Sequence, residues 1–477
     1  MSSARVLNVR NPRSGEDDAT IRCWSVDDLT AEAGTLRSAQ QAWAVRSYKE
    51  RVDILQRWAA SLQGEAGEAV LAALSIDTGR RMLAAGELRS IPFVVAQAAR
   101  FAEEVFAEPD AQPLAADSEV TFSGMLQAYP LVGVISPWNF PLLLSLLDSI
   151  AALVAGSAVI VKPSEITPRF IEPLQESIDA IDELRGVFRL VSGDGETGAA
   201  LIDTVDAICF TGSVATGKKV AAAAAANMIP AFLELGGKDP AIVLGSADPE
   251  LAASTVLRAS VQATGQACQS IERVYVVDTV YDAFVASLVE QAQQVELNYP
   301  DINNGHIGPL IMEGQAAVIS AQLQDAVKHG ATIHCGGEVE QHGGGLWIRP
   351  TVLTGVTHEM QVMLEETFGP VIPVMRVADA AAAVAMANDS HYGLSAAVIG
   401  DKQEARLVAE SINAGAISIN DGGLTTIAFE AEKDSYGLSG LGASRMGRSG
   451  LQRFLRKKAL LTRHGAAPDI SSMSEEG

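Results

Sequence analysis

Apolar residues recur at helical spacing through residues 30–76, in the segments Ala31–Ala44, Tyr48–Leu62 and Ala66–Ser75, all rich in Ala, Leu, Glu, Gln and Arg. From about residue 130 the pattern alternates instead. Short β-rich runs, LVGVI (131–135), SAVIVK (157–162), FRLVSG (188–193), DAICFTG (206–212) and PAFLELGG (230–237), are separated by helix-like stretches. Strand, helix, strand at that spacing predicts a parallel sheet with crossover helices. A second series starts at DPAIVL (239–244) and continues through ERVYVV (272–277), ATIHCG (331–336), PVIPVMRV (370–377), SAAVIG (395–400) and GAISIN (415–420). The pattern therefore predicts two α/β domains in sequence. A polar, Pro-containing stretch around 108–117 interrupts the first, no repeat of fixed period occurs, and the segment after Gly465 reads as a frayed tail.

Composition narrows the class. A chain of 477 residues with 48% hydrophobic content fits a soluble, compact protein of roughly three domains. The net charge of −23 excludes a nucleic-acid surface, which needs clustered Lys and Arg. The N-terminal run MSSARVLNVRNPRSGEDD has no apolar core of a secretory signal. The most membrane-like stretch, 140–161, contains Asp148, Ser145, Ser149 and Ser157, and reads as a buried helix followed by a buried strand. Neither a membrane nor a nucleic acid is therefore expected as a partner. Cys23, Cys209, Cys268 and Cys335 lie far apart without a CxxC pair, and the seven histidines are scattered. That spacing predicts no metal site and no disulfide framework, and it fits a cytoplasmic protein in which a lone thiol can be chemical.

One turn invites a phosphate ligand. AICFTGSVATGKK (207–219) nearly spells the nucleotide loop G-x-x-x-x-G-K-[ST], with Gly212, Gly217 and Lys218 in place. Lys219 stands where that loop needs a hydroxyl for Mg²⁺, so the turn could serve a nucleotide hydrolase or another phosphate-bearing ligand. Three further residues stand out. Cys268 follows Gly-Gln-Ala, Glu234 interrupts an apolar run before Gly236–Gly237, and Asn139 lies between Trp138 and Phe140 at a strand-to-helix junction. Taken singly, each has an ordinary structural reading: a small buried thiol, a satisfied acid and a helix cap.

Together they carry more. GVISPWNFPL, VIVKPSE, FTGSVATG, LELGGKDP, GQAC, EETFGPV and GAISIN occur in this order, with 34 residues from Glu234 to Cys268. The chain thereby resembles the aldehyde dehydrogenase superfamily, in its NAD(P)-dependent, hydrolytic form, over about residues 30 to 460. The resemblance implies an α/β fold of three parts. These are a doubly wound Rossmann-type dinucleotide domain (1–105 and 129–236), an α/β catalytic domain (237–444), and a small β element for oligomerisation (106–128 and 445–477). It also implies a homodimer or homotetramer, joined through the C-terminal strand near 457–464.

The same resemblance assigns roles. Cys268 is the nucleophile, because aldehyde oxidation by hydride loss first requires a tetrahedral adduct. Asn139 and the Cys268 backbone N–H are the oxyanion donors. Glu234 activates the water that releases a free acid. CoA-acylating relatives lack this glutamate, so a CoA-acylating enzyme is the alternative, and a phosphate-loop hydrolase a more distant one. For the cofactor, NAD with NADP possible, the groove is assigned to Ile135, Ser136, Pro137 and Trp138, with Lys162, Ser164 and Glu165 at the adenosine ribose. Gly195, Phe210, Thr211, Gly217 and Leu235 belong to it as well. Gly212 and Ser213 lie beside the pyrophosphate, and Glu366 with Phe368 at the nicotinamide ribose.

Departures from the family bear on specificity. Where the family has Pro-Phe-Gly-Gly-x-Lys-x-Ser-Gly, this chain has Ala-Phe-Glu-Ala-Glu-Lys-Asp-Ser-Tyr-Gly (428–437), so Glu430 and Ala431 replace two glycines. Asp148 stands where the family places Lys, and Arg445 near the family's Glu. These are either a charge-swapped pair or two independent changes. Leu143, Leu144, Leu147, Gln266, Gln269, Leu424, Ile427 and Phe429 are the expected tunnel residues. With no Arg or Lys among them, an uncharged aliphatic or aromatic aldehyde is the expected substrate.

Overall fold

A computed structural model describes residues 5–107 and 111–475. Expectations for the first four residues, for 108–110 and for the last two of the tail fall outside the described residues. The first sheet has six strands. Leu131–Ile135 lies inside it, fully buried as its unbroken apolar run requires. Ala158–Lys162 and Phe188–Leu190 follow in parallel on one side, and Ala207–Thr211 and Ala231–Glu234 on the other. Strand order thus reverses between Leu131–Ile135 and Ala207–Thr211, the point at which the crevice of a doubly wound sheet opens. The helix Pro141–Ala155 follows the first strand, with Pro in its first turn and Gly156 closing it at φ 107°.

The chain leaves this sheet at Glu234 and enters the second one at Asp239. The second sheet has seven strands, in the order Thr332–Cys335, Thr351–Thr354, Val371–Val377, Ile271–Val277, Asp239–Val243, Ser395–Ile399 and Ala416–Ile419. All its neighbours are parallel except the first pair. Helices Val26–Ala44 and Tyr48–Ser61 open with capping boxes on Ser25 and Ser47. The indoles of Trp43 and Trp58 anchor them by donating to the Leu153 carbonyl (2.9 Å) and to Ser177 Oγ (3.1 Å). The expected β excursion and C-terminal strand form one antiparallel sheet. Asp117–Ala128 pairs with Gln112–Leu114 and, from Ala128↔Leu455 to Val120↔Arg463, with Leu455–Arg463.

The expected domain limit at 444 is displaced. Gly440–Leu441 pairs antiparallel with Leu233–Glu234, adding an edge to the first sheet. Leu451, Phe454 and Leu455 pack in the same apolar core as the helix Pro141–Ala155. Return of the chain to its first core is a long-range event that local pattern does not encode. The N-terminal hairpin Val6–Arg10/Asp17–Arg22 and the 25-residue helix Arg81–Val105 are further elements the sequence reading left out.

The returning segment is fixed by charge. Arg445 donates to both Asp148 carboxylate oxygens (3.2 and 2.8 Å) and to Thr211 Oγ1, and Arg453 donates to Asp148 as well. Asp148 is 1% exposed and the two arginine side chains 7% and 2%. The two departures from the family are therefore one direct pair, joined by a second arginine. Burial pushes the Asp148 carboxyl up, but Arg445 and Arg453 together hold it below its ordinary value. The cluster's contribution is thus complete above pH ~4 and is lost as the pH falls through the depressed value. Asp148→Asn, leaving two buried arginines without their anion, is expected to cost about 3–5 kcal/mol in urea unfolding at pH 7. The deficit relative to wild type should shrink below pH ~4, where the carboxylate of the unfolded wild-type chain begins to protonate, and should disappear only below the depressed native value.

Candidate active site

At the switch point a pocket of about 210 Å³ brings together Asn139, Glu234 and Cys268. A larger groove, of about 830 Å³, lies against the N-terminal hairpin and holds none of them. Asn139 follows the first strand, and its Nδ2 donates to the Gln266 carbonyl at 2.9 Å. This ties it to the turn that carries Cys268 and leaves its second amide hydrogen for another acceptor. Glu234 ends the strand beside Thr211 and accepts a hydrogen bond from Ser435 Oγ at 3.1 Å.

The Cys268 turn is strained. Ala263, Thr264 and Gly265 all have left-handed φ, of 56°, 62° and 67°. For a β-branched Thr such a conformation costs on the order of 1–3 kcal/mol and persists only when its surroundings impose it. Arg80 imposes part of it, donating to the Ala263 carbonyl (3.0 Å) and to the Asn139 carbonyl (2.5 Å). Thr264 Oγ1 exchanges hydrogen bonds with the backbone of Gly308, both at 3.0 Å. Glu87 receives the N–H groups of Leu142 and Leu143 (3.1 and 2.9 Å), capping the helix that follows Asn139. Burial draws the Arg80 guanidinium down to about 10 and pushes the Glu87 carboxyl up to about 7. Neither residue belongs to a motif, and no pattern in the chain singled them out.

Burial also pushes the Cys268 thiol up, to about 12; Lys433 opposes this, and Asp239, Glu366 and Glu234 add to it. Burial therefore opposes thiolate formation first, and the surrounding charges adjust it.

Pro137, Trp138, Thr211, Gly212, Ser213, Leu235, Glu366 and Phe368 line the same pocket, as expected of the groove's inner half. Ile135, Ser136, Phe210 and Gly217 are buried and do not line it. A Cβ on Gly217 would approach Leu235 to 2.5 Å, and one on Gly212 would approach the Phe210 ring to 2.6 Å. Ser213 caps the helix Val214–Ala226, and Lys218 and Lys219 are exposed away from the turn. Lys162, at the end of Ala158–Lys162, donates to the carbonyls of Pro163 (2.9 Å) and Gly193 (2.8 Å) and to Glu165 (3.3 Å). Lys162 is buried, and Glu165 is a half-exposed carboxylate beside it. Ser164 is buried, its hydroxyl accepting from the Ile166 N–H, and Gly195 opens the helix Gly195–Ile202 with free space at its Cα.

Glu366 is held by a network that sequence reading did not anticipate. Lys238 Nζ binds Glu272 (2.7 Å) and Thr367 (2.8 Å), and Glu272 accepts the N–H groups of Thr367 (2.7 Å) and Phe368 (2.8 Å). This fixes Phe368 at φ 53°, its ring edge-on to Trp138 at 5.4 Å. Gly236 packs so closely that a Cβ would sit 2.7 Å from both Glu366 oxygens. Burial and Glu272 push the Glu366 carboxyl up to about 8. Gly212 and Gly236, where no side chain fits, together with a capped helix start and two aromatic walls, fit a dinucleotide.

The substrate side requires one correction. Gln266 does not face a tunnel. It is fully buried, with Nε2 donating to the Ala263 and Pro309 carbonyls and Oε1 accepting from the Ile311 N–H. The strained turn rolls this side chain inward. Leu144 lines the pocket beside Met312, Gln315 and Val318. Leu147 and Phe429 line a smaller cavity with Arg445, and Phe429 stacks edge-on with Phe93 at 5.5 Å. Leu143 is half-buried, Leu424 and Ile427 are exposed, and Gln269 accepts from Thr425 at 2.7 Å.

Known proteins share this arrangement. The sequence model described as Aldehyde dehydrogenase family matches residues 1–460. A provisionally named aldehyde dehydrogenase, PutA, from Anabaena variabilis superposes with a TM-score of 0.95 at 48% identity, over 98% of this chain and 99% of the other. Lactaldehyde dehydrogenase from Escherichia coli superposes at 0.90 with 31% identity, over 97% of both chains. A provisionally named NADP⁺-type succinate-semialdehyde dehydrogenase from Mycolicibacterium smegmatis is 35% identical over 457 residues, 94% of this chain and 87% of the relative. The chain belongs to the aldehyde dehydrogenase family, and its reaction is the NAD(P)-dependent oxidation of an aldehyde.

Proposed function

We propose that the protein oxidises an uncharged aliphatic or aromatic aldehyde to the free carboxylic acid, through an acyl group carried on Cys268. The observation that carries this reading is the convergence of Cys268, Asn139 and Glu234 on one pocket. The Cys268 thiolate adds to the carbonyl carbon, and the new oxyanion accepts hydrogen bonds from the free Asn139 amide N–H and the Cys268 backbone N–H. Bound NAD⁺ or NADP⁺ supplies the hydride acceptor that converts this adduct to a thioester. Glu234, oriented by Ser435, then removes a proton from the water that attacks the thioester carbonyl, and the thiol leaves. Glu165 favours NAD⁺ by repelling a 2′-phosphate.

The case for an uncharged substrate is that Leu144, Met312 and Val318 wall the pocket with no Arg or Lys among its lining residues, and Arg445, which lines another cavity, is committed to Asp148 and Thr211. The two relatives named for lactaldehyde and succinate-semialdehyde bracket this choice. A screen of NADH and NADPH formation across aliphatic, aromatic and carboxylated aldehydes is expected to give the highest kcat/KM for an uncharged aldehyde with NAD⁺. The product should form without CoA. Preference for succinic semialdehyde would overturn the substrate class, and a CoA requirement would overturn hydrolysis.

Cys268→Ser should abolish turnover, and Glu234→Gln should leave a single burst of reduced cofactor with slow turnover. Asn139→Ala should lower kcat about 10²-fold, the scale of one oxyanion donor. Arg80→Met should also lower kcat, by roughly up to 10²-fold through misplacement of the reacting groups. Its dinucleotide KM should stay close to wild type, because Arg80 touches the Asn139 and Ala263 carbonyls rather than the cofactor groove.

For assembly, we propose a homodimer or larger oligomer joined through Leu455–Arg463. The far edge of this strand is unpaired among the described residues, and its Leu460 and Leu461 are 46% and 67% exposed. Sedimentation should give at least a dimer, and Leu461→Pro should shift it toward monomer.

A further inference from the structure

The ammonium of Lys433 is buried and has no hydrogen-bond partner among the described residues. An unsatisfied buried cation costs several kcal/mol unless surrounding negative charge offsets it. Its position is fixed from both sides. The Lys433 N–H donates to Ser444 Oγ at 3.0 Å, and the Asp434 carbonyl packs so tightly on Gly415 that a Cβ there would lie 1.9 Å away. Beyond these, Ser435 binds Glu234, and Tyr436–Gly437 pairs with Tyr392–Gly393. The segment is thus a strap drawn across the junction of the two sheets, with the Lys433 side chain turned inward.

What it meets there is acidic. Asp239 is 1% exposed, and Gly237 packs between its carboxyl and the Cys268 carbonyl, with Cβ distances of 2.6 and 3.0 Å. Ser395 donates to Asp239 through both its N–H and its hydroxyl. Around the thiol, Glu234 faces from the first sheet, Asp239 from the second, and Glu366 from the loop before Val371–Val377. Glu272 stands behind Glu366, and Lys238 is committed to Glu272 and Thr367. Lys433 is the uncommitted cation of this group, and its field reaches both Cys268 and Asp239.

We propose that Lys433 is a positioning residue for charge: its unpaired ammonium stabilises the Cys268 thiolate, and Asp239 is the opposing acid that limits this. The proposal rests on Cys268 as nucleophile, and it explains why the strap keeps Lys433 although two glycines of the same run are replaced by Glu430 and Ala431. No cofactor or substrate is needed to observe the effect.

The test is the rate of iodoacetamide alkylation at Cys268 against pH, followed by peptide mass mapping, in the full-length protein. The thiolate displaces iodide, so the rate reports the thiolate fraction. Lys433→Met should move the midpoint to higher pH and slow labelling at pH 8 at least tenfold, whereas Lys433→Arg should stay within about threefold of wild type. Asp239→Asn, which keeps the shape and an acceptor for the Ser395 N–H, with its Nδ2 donating to the Ser395 hydroxyl instead, should move the midpoint the opposite way and speed labelling. Superimposable profiles for wild type and folded Lys433→Met would overturn the proposal, as would slowing by Asp239→Asn. If wild-type Cys268 labels no faster than the half-buried Cys335, the nucleophile assignment itself fails, a result distinct from loss of the Lys433 effect.

Discussion

Gly236 and Gly237 set the constraint on which the rest of this structure depends. They carry the chain from the last parallel strand of one sheet to the first of the next through a passage without room for a side chain. One faces the Glu366 carboxylate and the other the Cys268 carbonyl. Because only residues 235–238 separate the two strands, Glu234 must end beside the start of the second sheet. The loops before Ile271–Val277 and Val371–Val377, which carry Cys268 and Glu366, then close around that point. A methyl group at either glycine would push the two domains apart at the place where the acid, the thiol and the groove meet.

Around this passage, buried charge does the work that apolar packing cannot. Lys238–Glu272 holds the loop of Glu366 and Phe368, Arg80 holds the Asn139 and Ala263 carbonyls, and Asp148 holds Arg445 and Arg453 beneath Thr211. Each is hydrogen-bonded and directional, so each fixes a geometry as well as contributing energy. An apolar side chain in place of Arg80 would fill volume, but it would leave two carbonyls free to rotate and a left-handed Thr264 free to relax.

Legibility followed the range of the interactions. The buried parallel strands were readable because continuous apolar runs such as LVGVI and AVIVK have few other stable positions. The helix Arg81–Val105, with Pro92 inside it, and the mostly polar N-terminal hairpin carry weaker local signals and were missed. Asn139, Glu234 and Cys268 were legible through their motifs, and Asp148 with Arg445 through departure from a motif. Gln266 was misread, because sequence places it two residues from Cys268 but cannot tell that three left-handed residues before it turn its side chain inward. Arg80, Glu87 and Thr264 gave no signal, since an arginine that binds carbonyls looks like any other arginine until those carbonyls are positioned.

The sequence by itself determined the family and the order of the buried parallel strands, and it marked Cys268, Glu234 and Asn139 as the candidate reacting groups, because these depend on local periodicity and on residue types at fixed spacing. Tertiary structure alone decided that residues 440–455 return to the first core, that Asp148 meets two arginines, and that the Lys433 ammonium is buried without a hydrogen-bond partner among the described residues. Those outcomes join positions hundreds of residues apart. They depend on distances and desolvation that exist only once both sheets are folded, and no pattern along the chain encodes them.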